Sequence, residues 1–103
     1  MRIKARIARG IKEETFGLIG ESKFHPLLIK TRFGIHTFFL KFPLDVVVLD
    51  KNNKIVKLRQ NLAPNRIFVW NPKYGKVLEL PKNTINKMKL DLGDKVNIEN
   101  IKV

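Results

Sequence analysis

The 103-residue chain contains no cysteine. Disulfides, thiolate catalysis and cysteine-held zinc or iron–sulfur centres are thereby excluded. Histidine is nearly as scarce: His25 and His36 stand beside only nine carboxylates. A metal centre needs several such ligands converging, so neither a metal nor a cofactor is expected. Serine occurs once, as Ser22, without the flanking glycines of a nucleophile elbow. Thr37 follows His36 directly, but strand neighbours point to opposite faces, so no nucleophile–base pair is expected there. Glycine builds no phosphate loop; Gly34, Gly75 and Gly93 stand alone as turn residues. No apolar run approaches the ~18 residues of a membrane span. Residues 1–8 alternate basic and apolar side chains, unlike the continuous apolar stretch of a secretory signal. A cytoplasmic protein with no membrane partner is expected. Repeats, low-complexity tracts and linkers are absent too, so residues 1–103 are expected to form a single domain.

What the chain has in excess is positive charge. Lys and Arg number 21 against nine acidic residues, a net charge of +12. Such a balance suits an anionic partner, nucleic acid first. Fifteen of the 21 are lysines, accompanied by nine asparagines and many isoleucines. Genome base composition alone produces that mixture, so the charge has a bland explanation as well.

Hydrophobic periodicity predicts about seven short strands and two short helices. Arg2, Lys4 and Arg6 alternate with Ile3, Ala5 and Ile7, the pattern of a strand with one basic and one apolar face. Residues 11–19 carry a weak helical pattern that Gly20 ends. A short strand follows Pro26 over residues 27–31. Residues 37–42 run into Pro43, which implies an edge, bulge or bend. Leu44 to Leu49 is apolar on both faces, as in a buried strand. Residues 50–53 make a hairpin turn and 54–60 return as the partner strand. Further strands are predicted over 67–70, 76–80 and 95–101. Pro81 is placed in the first turn of a helix carrying Ile85, Met88 and Leu92. The fold class is mostly β, a small bent sheet or barrel-like single domain.

Candidate chemistry lies where polar groups interrupt apolar strands. Asp45 sits between Leu44 and Val46, and Glu79 between Leu78 and Leu80. A buried carboxylate is costly unless it is hydrogen-bonded or paired. If both faced one cavity they could form a general acid–base pair. The alternative is structural: Asp45 caps backbone N–H groups near the Pro43 bend, and Glu79 faces solvent or pairs with Arg66. His36 could meet Asp45 across that bend or simply be a hydrogen-bonded core residue. The aromatics Phe33, Phe38, Phe39, Phe42, Phe68 and Trp70 cluster mid-chain near Lys30, Arg32, Lys41 and Arg66. Aromatics among cations suit single-stranded nucleic acid, although at least four of the six are expected in the core.

The segment from Phe33 to Asp50, with Ile-His-Thr-Phe and Pro-Leu-Asp ahead of an apolar strand ending in aspartate, is followed by Leu78-Glu79-Leu80-Pro81 and Gly93-Asp94. In this order it resembles the uncharacterised protein family 0127, also called domain of unknown function 192. The resemblance covers residues 17–98 and departs at Leu40, where the family has methionine, and at Ile19. It implies a compact, mostly β domain and no established activity. Residues 74–98 are also similar, over about a quarter of the chain, to the swapped-hairpin regulators of bacterial transition-state genes, which bind DNA.

Three readings follow. The first is a binding or accessory module whose polar-in-apolar pocket combines His36, Thr37, Asp45 and Glu79 around a small ligand or peptide. The second is a nucleic-acid-binding protein using Arg2, Lys4 and Arg6 on one strand and Lys57 and Arg59 on another as phosphate contacts. The third, an enzyme using Asp45 with His36, is the least supported. Exposed terminal strands leave dimer formation open.

Overall fold

The computed structural model of the protein describes residues 2–7, 26–38 and 40–100. Among them are eight strands, β1 (Arg2–Ile7), β2 (Leu27–Ile29), β3 (Ile35–His36), β4 (Leu44–Leu49), β5 (Ile55–Leu62), β6 (Ile67–Phe68), β7 (Lys76–Pro81) and β8 (Asn97–Asn100), with one short helix, α1 (Thr84–Met88). Six strands form a mixed sheet in the order β5-β4-β7-β2-β1-β8, while β3 and β6 pair apart from it as a two-stranded ribbon. β1 runs parallel to β2 and to β8; the other neighbours are antiparallel. The sheet bends until its ends approach. Lys54 bridges Lys95, and Ile55 N–H donates to the Asp94 carbonyl at 2.9 Å. The barrel does not close, and the bent, mostly β architecture stands.

The run of valines has a direct structural cause. β4 is buried along its whole length because the sheet is covered on both faces. One face presents Ala5, Leu28, Val47, Leu49, Leu78 and Leu80 to Ile85 of α1 and to Leu90. The other presents Leu27, Ile29, Leu44, Val46, Val48 and Val77 to Phe68 and Trp70. These are called the helix face and the ribbon face below. Each fully buried Val or Leu contributes roughly 1.5–3 kcal/mol relative to exposure.

Several predicted elements change. Pro81 is the last residue of β7, paired with Leu44, rather than the start of a helix. The helix begins three residues later, after Asn83 in the left-handed region at φ 68. Lys89, also left-handed at φ 53, stops it. Leu92 therefore lies past the helix and is exposed. Ahead of Pro43, the strand β3 ends at His36 and does not extend through Thr37 and Phe38. Asn53 does take positive φ, 63, in the β4–β5 hairpin. The helical pattern of residues 11–19 and His25 lie outside the described residues, as does Ile101. No helix among the described residues is long and apolar enough to cross a membrane.

Candidate functional site

Asp45 is fully buried on β4. Its register partner is Leu80, which places its side chain on the helix face. One carboxylate oxygen accepts the Asn61 N–H at 3.0 Å and the other the Ile85 N–H at 2.9 Å. The first bond fastens a bulge: Val46 pairs with Arg59 and Leu44 with Leu62, so two residues of β5 oppose Asp45. Asn61 adopts φ 52 at that bulge. The second bond caps the start of α1, where an amide N–H has no partner within the helix. Asp45 is thus a buried staple holding a strand irregularity and a helix end. The structural alternative holds in kind, but the capped groups lie 16 and 40 residues away rather than beside Pro43.

Glu79 does not face solvent; it is 4% exposed and engaged by a neighbour. It pairs in register with Leu27 and Val46, which belong to the ribbon face. Asp45 and Glu79 therefore point to opposite sides of the sheet and do not form an acid–base pair. Thr37 is fully buried and saturated. Its Oγ1 donates to the Ala63 carbonyl at 2.7 Å and accepts the Arg66 N–H at 2.8 Å. Its backbone carbonyl accepts the Asn65 N–H at 3.0 Å. These bonds pin the 63–66 connection to the ribbon. The structure does not bring His36, Thr37, Asp45 and Glu79 into one pocket.

Of the four, His36 lines an open recess. Phe33, Gly34, Ile35, His36, Phe38, Ile67 and Val69 enclose a groove of about 250 Å³ on the outer side of the ribbon. The His36 ring stacks on Phe38, with centroids 4.9 Å apart at 24°, and its Nδ1 accepts the Phe38 N–H at 3.3 Å. Gly34 makes this geometry possible. At φ +140 it lies so close to β6 that a Cβ would stand 2.6 Å from the Phe68 carbonyl oxygen. Of the six clustered aromatics, Phe68 and Trp70 are core, Phe42 is half-buried, Phe33 and Phe38 are exposed, and Phe39 lies outside the described residues.

The basic rows are only partly available as phosphate contacts. Arg2 and Lys4 are exposed and Arg6 is half-buried; Arg2 pairs with Glu99 at 3.3 Å across β1 and β8. Arg59 is exposed on β5. Lys57 is occupied: its Nζ donates to the Val69 carbonyl at 2.9 Å and lies 4.9 Å above the Phe68 ring. No three potential metal ligands converge among the described residues.

The family model for DUF192, described as an uncharacterised ACR, matches residues 1–98. The chain belongs to the DUF192 family. A UPF0127 protein of Pyrococcus abyssi is 32% identical over 99 residues, covering 90% of this chain and 84% of the relative. A UPF0127 protein of Pyrococcus horikoshii is 28% identical over 99 residues, covering 90% and 85%. Two crystal structures share the fold. A protein of unknown function from Novosphingobium aromaticivorans superposes with a TM-score of 0.77 at 16% identity, over 88% of this chain and 71% of the other. A candidate transcription regulator from Sinorhizobium meliloti gives 0.74 at 18% identity, over 88% and 78%. None of these relatives carries an established activity in its name, and the function of this DUF192 protein is likewise not established.

The sequence did not single out Ile35 for the groove, nor Ile67 and Val69. The latter two read as interior residues of an apolar strand. Nothing in residues 65–71 signals which apolar side chains of the segment face outward.

Proposed function

We propose that this DUF192 protein is a binding module whose site is the apolar groove around His36. The observation that carries the reading is the exposure of Phe33, Ile67 and Val69, at 81, 67 and 57%, along a single groove. Isolated apolar residues on a surface need no explanation, whereas contiguous ones mark an interface. At about 250 Å³ the groove is smaller than the roughly 300–1,000 Å³ of small-molecule sites. It suits one large apolar side chain of a protein segment. Arg32 and Arg66 adjoin Phe33 and Ile67 in the chain, no carboxylate lines the groove, and the net charge is +12. The occupant this favours is an acidic peptide segment presenting a phenylalanine or leucine.

Fluorescence polarisation with a labelled Glu-Glu-Phe-Leu-Glu-Glu peptide tests this against Glu-Glu-Ser-Ser-Glu-Glu. The Phe-Leu peptide is expected to bind at least about tenfold more tightly, a difference of about 1.4 kcal/mol. Ile67→Asp is expected to abolish the difference at a cost in stability of no more than about 1 kcal/mol, the span of strand propensity. Equal affinity for the two peptides would sink the reading.

A second reading, nucleic-acid binding, draws on the exposed Arg2, Lys4 and Arg59 and on the name of the Sinorhizobium fold relative. It requires duplex affinity to fall with salt at a slope of about −0.9 per phosphate contacted. Lys4→Glu with Arg59→Glu, both exposed cations, must then weaken that binding.

A further inference from the structure

A second recess is built almost wholly of cations. Lys30, Arg32, Lys51, Lys73, Gly75 and Lys76 enclose about 250 Å³. They converge from three places. Lys30 follows β2, Lys76 opens β7, and Lys51 stands in the β4–β5 hairpin. Register explains the meeting: Ile29 pairs with Val77, and Leu49 with Lys76, so β2, β7 and β4 end together at this edge of the molecule.

Two of the cations are held in position. The Arg32 guanidinium donates through Nη1 to the carbonyls of Pro72 and Lys73, both at 3.2 Å. It lies across Gly75, where a Cβ would stand 3.3 Å from the guanidinium carbon. Arginine has five N–H donors, so three remain once Nη1 is engaged. Lys76 Nζ donates to the Asn53 side-chain oxygen and to the Lys51 carbonyl. Asp50 is the carboxylate that feels Lys76, and it is turned into its own hairpin, accepting the N–H groups of Asn52 and Lys54. None of the lining residues is acidic. Five like charges around one concavity repel each other and raise the local concentration of anions.

We infer that this recess binds a small, multiply charged phosphate group of the pyrophosphate class. The concave, clustered layout favours a compact polyanion over an extended backbone, which would be tracked by cations in a stripe. The fixed guanidinium supplies directional donors and the lysines supply point charges, the usual division of labour around phosphates. The inference stands apart from the peptide groove, and either can fail alone.

The test is isothermal titration of the full chain with inorganic pyrophosphate at constant ionic strength. Lys51→Ala combined with Lys73→Ala removes two exposed cations from the recess and is expected to weaken binding at least about tenfold. Lys82→Ala combined with Lys87→Ala removes the same charge elsewhere and is expected to change affinity less than about twofold. Gly75→Ala, which alters no charge but crowds Arg32, is expected to weaken binding severalfold. Unchanged affinity in the Lys51/Lys73 variant overturns the proposal. So does an equal loss in both double variants, which would mean an adventitious ion only. A single-stranded oligonucleotide that pyrophosphate displaces, and that the recess variants no longer bind, would reassign the site to a nucleic-acid backbone and overturn the small-ligand form.

Discussion

Asp45 shows how much one buried side chain can organise. Its two oxygens each take one backbone N–H, from the β5 bulge and from the first turn of α1. Asparagine keeps one acceptor oxygen and presents an NH₂ where the second acceptor was. Asp45→Asn therefore leaves one buried N–H unsatisfied and is expected to cost about 1–3 kcal/mol in urea unfolding. Asp45→Ala, which abandons both, is expected to cost more. A loss near zero for Asp45→Asn would mean that the bulge and the helix cap hold without the carboxylate. Thr37 plays the same part for the 63–66 connection, with its hydroxyl both donating and accepting. Asp45 and Thr37 are thus fasteners, whereas His36 reaches an open groove.

The two elements most open to perturbation are the ribbon and the β4–β5 hairpin. β3 and β6 share only the pairs Ile35–Phe68 and His36–Ile67, and isolated two-stranded pairs are marginal. Gly34→Ala would drive a Cβ into the Phe68 carbonyl. It is expected to separate the strands, seen as loss of the Ile35–Phe68 cross-strand nuclear Overhauser contacts, and to abolish peptide binding in the groove. In the hairpin, the Lys54 N–H above all holds the Asp50 carboxyl below its ordinary value of 3.8, assisted by the Asn52 N–H and by the charges of Lys54 and Lys76. A carboxyl depressed in the folded state stabilises the fold fully above its unfolded value. That contribution is lost as pH falls below about 3.8, through the lower folded value. Asp50→Asn is therefore expected to flatten the acid limb of the stability profile below about pH 3.8. A limb as steep as that of the parent would show that Asp50 takes no part in it.

For the molecule as a whole, the sequence was most readable where one physical constraint acts alone. Leu44 to Leu49 is apolar throughout because both faces of the sheet are covered. The alternation over Arg2 to Ile7 survives as a strand with Ile3 and Ala5 inward. The Asn-rich hairpin follows from the left-handed tolerance of asparagine. What could not be read were quantities set by register and long-range pairing. Asp45 and Glu79 look equivalent as carboxylates among leucines, yet the pairing of β4 with β7 sends them to opposite faces. The helix after Pro81 was legible but its start was not, because Asp45, 40 residues earlier, supplies its cap. At least four of the six clustered aromatics are expected in the core from sequence, but Phe33 and Phe38 are exposed, because sequence cannot show which apolar side chains near the ribbon turn outward. The cationic recess was hidden likewise, its members running from Lys30 to Lys76.

On the proposed function the ribbon groove, and not the basic strand faces, is where this protein meets its partner. An amide-resolved NMR titration with the Glu-Glu-Phe-Leu-Glu-Glu peptide tests it directly. Shift changes are expected to concentrate at Gly34 to Phe38 and Arg66 to Val69. Changes confined to β1 and the exposed stretch of β5, with the ribbon amides unmoved, would contradict it.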